Sequence, residues 1–345
     1  MRDSPAYQHT QANSNSPPPP PIRLSYVSGI RAILEDSQGR IWFGSHNEGV
    51  CLLRGDTLTY FTVADGLSNN QVRSIYEDRA GQIWFECGEG ISVYDGERLA
   101  VWKEKNYGRK HQWSGGVRDL WFKSDPSTGH SEIEEFPGVY RYDGEAMYYH
   151  AFPIYLEEEV KFGYSISASF ARGQGNEVWL GTYSAVIGYD GEACTFITND
   201  LLGLNENTGY LHVRSIYVDS NGDLWIGNNG IGVLKYDGEE VVNVSRQHGL
   251  ISLAGAGRGG YRSTETTLEH IFAIGEDKHG NIWFGDRDTG AWMFDGESMK
   301  NYGLEAGLPV THIWQIYTTK TGELWFAMAD GSVQRFVEDK FERVF

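Results

Sequence analysis

The stretch His212-Val-Arg-Ser-Ile216-Tyr-Val-Asp219-Ser-Asn-Gly222-Asp-Leu224-Trp225-Ile226-Gly227, followed by Val233-Leu-Lys-Tyr236-Asp237-Gly238, decides the fold. It strings together short β-branched and aromatic segments, each too short for a helix and each closed by a turn signal. Asp-x-x-Gly and Asp-Gly supply the turns, because Asp bonds the amides that follow it and Gly accepts positive φ. Three strands are thus written into 27 residues, and a fourth follows the Tyr-Asp-Gly turn.

The same text recurs along the chain, and repeats of this length indicate a repeat architecture. Ile30–Ile33 leads through Asp36-Ser-Gln-Gly39 to Ile41-Trp42-Phe43-Gly44, and Val72–Ile75 through Asp78-Arg-Ala-Gly81 to Ile83-Trp84-Phe85. Ile271–Ile274 leads through Asp277-Lys-His-Gly280 to Ile282-Trp283-Phe284-Gly285, and Ile313–Ile316 through Thr319-Lys-Thr-Gly322 to Leu324-Trp325-Phe326. Two degenerate copies centre on Leu120-Trp121-Phe122 and Val178-Trp179-Leu180, with Tyr142-Asp143-Gly144 and Tyr189-Asp190-Gly191 in their second halves. The tryptophans at 42, 84, 121, 179, 225, 283 and 325 count seven copies. The spacing predicts an all-β, seven-bladed β-propeller of four-stranded antiparallel blades, WD40-like in architecture, over residues 23–345. A solenoid would need atypical capping copies, and the first and last copies are ordinary.

Composition agrees. The 345 residues include 43 Gly against 10 Pro, and 14% are aromatic, which suits short strands and tight turns. A formal net charge of −18 disfavours nucleic acid and anionic membrane as partners. Cys51, Cys87 and Cys194 have neither the number nor the spacing of a disulfide framework or a metal site. No apolar run is long enough to span a membrane, so no membrane insertion is expected. Residues 1–22, polar and then Pro-rich from Pro17 to Pro21, read as a disordered arm without the apolar stretch of a secretory signal.

These repeats resemble the two-component regulator propeller family, whose units read Asp-x-x-Gly-x-Leu-Trp-Phe-Gly-Thr with Gly-Leu-Ser-x-Asn linkers. The linker is present as Asp65-Gly-Leu-Ser-Asn-Asn70 and echoed at His248-Gly-Leu250 and Ala306-Gly-Leu-Pro309. The resemblance runs over about residues 24–345. It implies a ligand-sensing propeller, extracytoplasmic as such domains typically are, that signals through a partner. A looser likeness in the Trp-Phe strands points to streptogramin-lyase-like propellers, which are metal-dependent enzymes.

In a propeller the D-to-A and B-to-C connections emerge on one face, and the long insertions at 103–116, 123–138, 153–165 and 245–270 all fall there. Long loops gathered on one face mark where the molecule meets something. On the same face His212, His270 and His312 precede the A strands of blades 5, 6 and 7. Two residues further on stand Arg31, Arg73 and Arg214, replaced by Phe272 and Trp314 in blades 6 and 7. Side chains two apart share a strand face, so each His is expected above its own blade's Arg or aromatic.

Three readings of this cluster stand. It packs the A strands; or it binds a small polar or anionic ligand, glycans included, through arginine forks and aromatic faces; or His212, His270 and His312, with Glu269, hold a divalent metal for a lyase or hydrolase. The expectation is a non-catalytic, cofactor-free, sensor-like propeller that binds a ligand or protein partner around the channel mouth. Trp102, Trp113 and Tyr261 are candidate loop contacts. A protein-interaction scaffold is the third functional class.

Overall fold

The structure, a computed structural model, describes residues 22–102, 113–123, 137–154, 157, 162–252 and 266–345. Seven antiparallel sheets follow one another, and each is contiguous in sequence. Six have four strands in meander order; the third has three among the described residues, Leu120–Lys123, Gly138–Tyr142 and Met147–Ala151. The inner strand expected there near Lys110 to Trp113 falls largely outside the described residues, and Trp113 is not in a strand. The Pro-rich arm and Tyr261 also lie outside them. Helix among the described residues is limited to one turn, Val244–Gln247, and a few 3-10 turns.

Repetition of sequence becomes repetition of bonds. Asp219 Oδ1 accepts the amides of Asn221 and Asp223, and its Oδ2 accepts the Trp225 indole N–H at 2.8 Å. Asp36–Trp42, Asp78–Trp84 and Asp277–Trp283 repeat that indole bond. Gly222 sits at φ 94°, a conformation that favours glycine. In blade 7 Thr319 replaces the aspartate, and Trp325 turns to Glu323 instead. The repeated aspartates are therefore turn and tryptophan anchors. On the outer hairpins the tyrosine hydroxyl closes the turn, as in Tyr236 to the Gly238 carbonyl at 2.7 Å.

Seven apolar clusters fill the molecule, one between each pair of neighbouring blades. Trp42, fully buried, lies 5.5 Å from Phe85 and 5.3 Å from Tyr94 of the next blade. The glycine after Trp-Phe has a steric reason: a Cβ on Gly227 would lie 2.6 Å from Ile271 Cγ2, and one on Gly44 2.7 Å from Val72 Cγ1. Each such contact is to the first residue of the next A strand. Blade 7 meets blade 1 through the same kind of cluster, in which Leu24, Tyr26, Ile30, Phe43, Trp325 and Phe345 join.

Candidate functional site

A channel of about 390 Å³ runs down the centre, lined by the A strands of blades 1, 2, 5, 6 and 7 and by Ser169 and Phe170 of blade 4. Those five strands share a bulge. Ile30 pairs with Ser45 and Ala32 with Gly44, so Arg31 is an inserted residue. The same register shift falls on Arg73, Arg214, Phe272 and Trp314. Blade 4 repeats it in hydrogen bonds, since the amides of Ser167 and Ala168 both reach the Gly181 carbonyl. A bulge bends its strand and re-aims a side chain. Here it brings one side chain per blade to the channel mouth: Arg31, Arg73, Ser167, Arg214, Phe272 and Trp314, with Lys123 from blade 3.

These seven, with Ser169, enclose a constriction of about 60 Å³. Four of them are cationic, in a chain of net charge −18. Arg31 lies 4.6 Å over the Trp314 ring, and its Nη1 is 3.5 Å from His46 Nδ1. Arg214 lies 5.1 Å over Phe272 and 6.0 Å from the Tyr183 ring. Arg73 Nε donates to Gln71 Oε1 at 2.9 Å. Burial, and after it the charges of Arg73 and Arg214, push the Arg31 guanidinium down to about 10. Burial also lowers Arg214.

The predicted arginines and aromatics thus share one site, joined by three residues that the sequence reading passed over, Lys123, Ser167 and Ser169. Lys123 had left a signal: it occupies the glycine position after Leu120-Trp121-Phe122, as Glu86 does after Ile83-Trp84-Phe85. Lys123 N donates to buried Glu86 Oε1 at 2.6 Å. Ser167 and Ser169 had left none, because their segment keeps no Val-x-x-Ile pattern.

The histidines behave differently. The His212 ring lies 5.0 Å from Tyr183, across the blade boundary. His270 is buried, its Nδ1 2.8 Å from Asn229 Oδ1 and its amide on Asp286 Oδ2. His312 lies 4.1 Å from Trp314 and 5.0 Å from Phe272, and burial holds it down to about 4. The expected stacking of a His on its own blade's channel residue is seen in blade 7, between His312 and Trp314. Glu269 Oε1 accepts the Ser252 amide. Among the described residues no three His, Cys, Asp or Glu side chains are grouped as a metal would need.

Trp102 and Trp113 are half-buried and packed on their blades. Trp102 lies 4.9 Å from Trp84, and Trp113 donates to the Ala151 carbonyl at 2.7 Å and stacks on Trp121 at 6.1 Å. Among the described residues no helix is long and apolar enough to cross a membrane.

Comparison with known proteins places this geometry in context. The two component regulator propeller family matches residues 27–47, 66–85 and 209–230. No curated protein matches the sequence. Among solved structures, the extracellular domains assigned to hybrid two component systems BT3049 and BT4673 of B. thetaiotaomicron superpose with TM-scores of 0.65 and 0.62, at 20% and 19% identity. They cover 92% and 91% of this chain, which spans only 40% and 39% of theirs. Virginiamycin B lyase from Staphylococcus aureus superposes with a TM-score of 0.61 at 13% identity, covering 90% of this chain and 95% of its own. At these identities the likeness is one of fold.

Proposed function

The chain carries two-component regulator propeller repeats, and on that premise we propose that it is a non-catalytic, sensor-like propeller that binds its ligand at the loop-rich face, around the channel mouth. One observation carries the reading. Each of the seven blades delivers a side chain to one constriction, and four of the seven are Arg or Lys. Convergent polar groups in a concavity are the usual mark of a binding site. Packing alone does not call for three arginines in one register, since buried like charges repel.

The likeness to extracellular two-component domains supports an extracytoplasmic placement and a role in signalling. The metal-lyase alternative finds no support in the positions of His212, His270 and His312, each of which packs against a neighbouring blade.

The test is a thermal-shift screen of glycans and small acids against the wild-type chain and an Arg31→Gln/Arg214→Gln variant. Ligands that raise the wild-type midpoint and leave the variant unmoved support the reading. Ligands that act equally on both place the site elsewhere and sink it.

A further inference from the structure

The geometry points to an oxyanion, a carboxylate, sulfate or phosphate group, as the chemical class held in the constriction; this deepens the reading above and rests on it. Among the described residues neither Arg31 nor Arg214 forms a salt bridge, and Arg214 Nε is buried without a hydrogen-bond partner, although Tyr183 shares a side-chain hydrogen bond with that guanidinium. A guanidinium presents a fork of donors matched to two oxygens of one anion. Two such forks, with Arg73 and Lys123 on the same ring, describe a receptor for negative charge.

Phe272 and Trp314 look in sequence like platforms for a sugar face, but each already carries a cation. Trp314 carries Arg31 at 4.6 Å, has His46 stacked on it at 5.6 Å and 15°, and meets His312 at 4.1 Å. Phe272 carries Arg214 at 5.1 Å and meets the edges of His312 and Trp314. A cation over an aromatic face is held there electrostatically. Trp314 and Phe272 therefore act as positioning residues that hold two guanidiniums at the mouth.

The constriction, about 60 Å³ against about 390 Å³ for the channel, suits a single acid group better than a whole ring. The body of a larger ligand would lie beyond the constriction, with only its acid group inside.

The experiment is calorimetric titration of the whole chain with inorganic phosphate, with sulfate and with acetate, at constant ionic strength. Saturable binding of at least one is expected. Acetate separates a planar carboxylate from a tetrahedral anion. Arg31→Gln/Arg214→Gln should weaken binding at least about tenfold. Trp314→Leu keeps every charge but should weaken binding severalfold, whereas Trp314→Phe should restore most of it; a purely structural loss would not follow that order. Urea midpoints of the variants separate misfolding from lost affinity. No saturable binding of any of the three anions overturns the assignment, as does equal binding by the double arginine variant. If anions fail while a neutral glycan binds and loses affinity in that variant, the oxyanion class is wrong and the mouth remains the binding site.

Discussion

His150 is buried at 2% exposure, and neither ring nitrogen has a hydrogen-bond partner among the described residues. Trp113 and Trp121 lie 5.3 and 6.0 Å from its ring. Burial first, and the Arg141 charge second, push it down to about 4. The unfolded chain takes up the same proton near 6.5. The contribution is therefore complete above about pH 6.5 and lost progressively as pH falls toward 4, at no more than about 1.4 kcal/mol per pH unit. His150→Phe should flatten that decline. Urea midpoints at pH 7 and pH 5 check it, and an equal pH response in the variant rejects the assignment. A different residue-level effect is expected at Asp219, whose carboxylate serves two amides and the Trp225 indole. Asp219→Ala leaves a buried indole N–H unpaired and should cost about 1–3 kcal/mol. Tryptophan fluorescence during denaturation reads both the midpoint and the local change.

At the scale of the strand, the small residue after Trp-Phe is a spacing device. Gly227 faces Ser215 and Ile271 so closely that an added Cβ would lie 2.3 Å from Ser215 Oγ and 2.6 Å from Ile271 Cγ2. Gly227→Ala should therefore push two blades apart and lose about 1–3 kcal/mol, although alanine suits a strand no worse than glycine. An unchanged denaturation midpoint would mean that the interface yields freely. The glycine, tryptophan and aspartate positions were legible in sequence because each obeys a local rule of turn or packing. The site was legible only in part. Arg31, Arg73 and Arg214 stood out because they repeat, and repetition survives projection onto one dimension. Lys123 reaches the same ring from a B strand, and Ser167 from an irregular segment with no repeat text, so their convergence exists only once blades are placed around an axis. The bulge was invisible for another reason: it inserts a residue into a pairing, and pairings are not written in a single segment.

At the scale of the whole ring, closure is the feature that makes seven blades one body. Every sheet is contiguous in sequence, and the last strand, Lys340–Arg343, pairs with its own blade, so among the described residues no exchanged strand locks blade 7 to blade 1. The junction is held by the apolar cluster around Phe345 and by a short ladder of side chains on backbone amides. Gln315 Oε1 accepts the Ile33 amide at 2.6 Å, the Tyr317 hydroxyl accepts the Glu35 amide at 2.8 Å, and Glu35 Oε2 accepts the Lys320 amide at 2.9 Å. The last bond repeats at ordinary boundaries, from Ser37 to Glu77 and from Ser220 to Glu276, so the closing junction uses the same latch as the others. Gln315→Ala with Tyr317→Phe strips acceptors from two amides that have no strand partner on that side. A fully buried amide left unpaired costs about 1–3 kcal/mol, and these two, half-buried, should each cost up to about 1 kcal/mol. The pair of substitutions should thus lower the urea midpoint substantially, with the slope unchanged if the ring still unfolds as one unit. A shallower slope together with the lower midpoint would mean that the ring opens at this junction before the blades unfold. No shift at all would assign closure to the apolar cluster alone, and Phe345→Ala would then be the substitution that opens it.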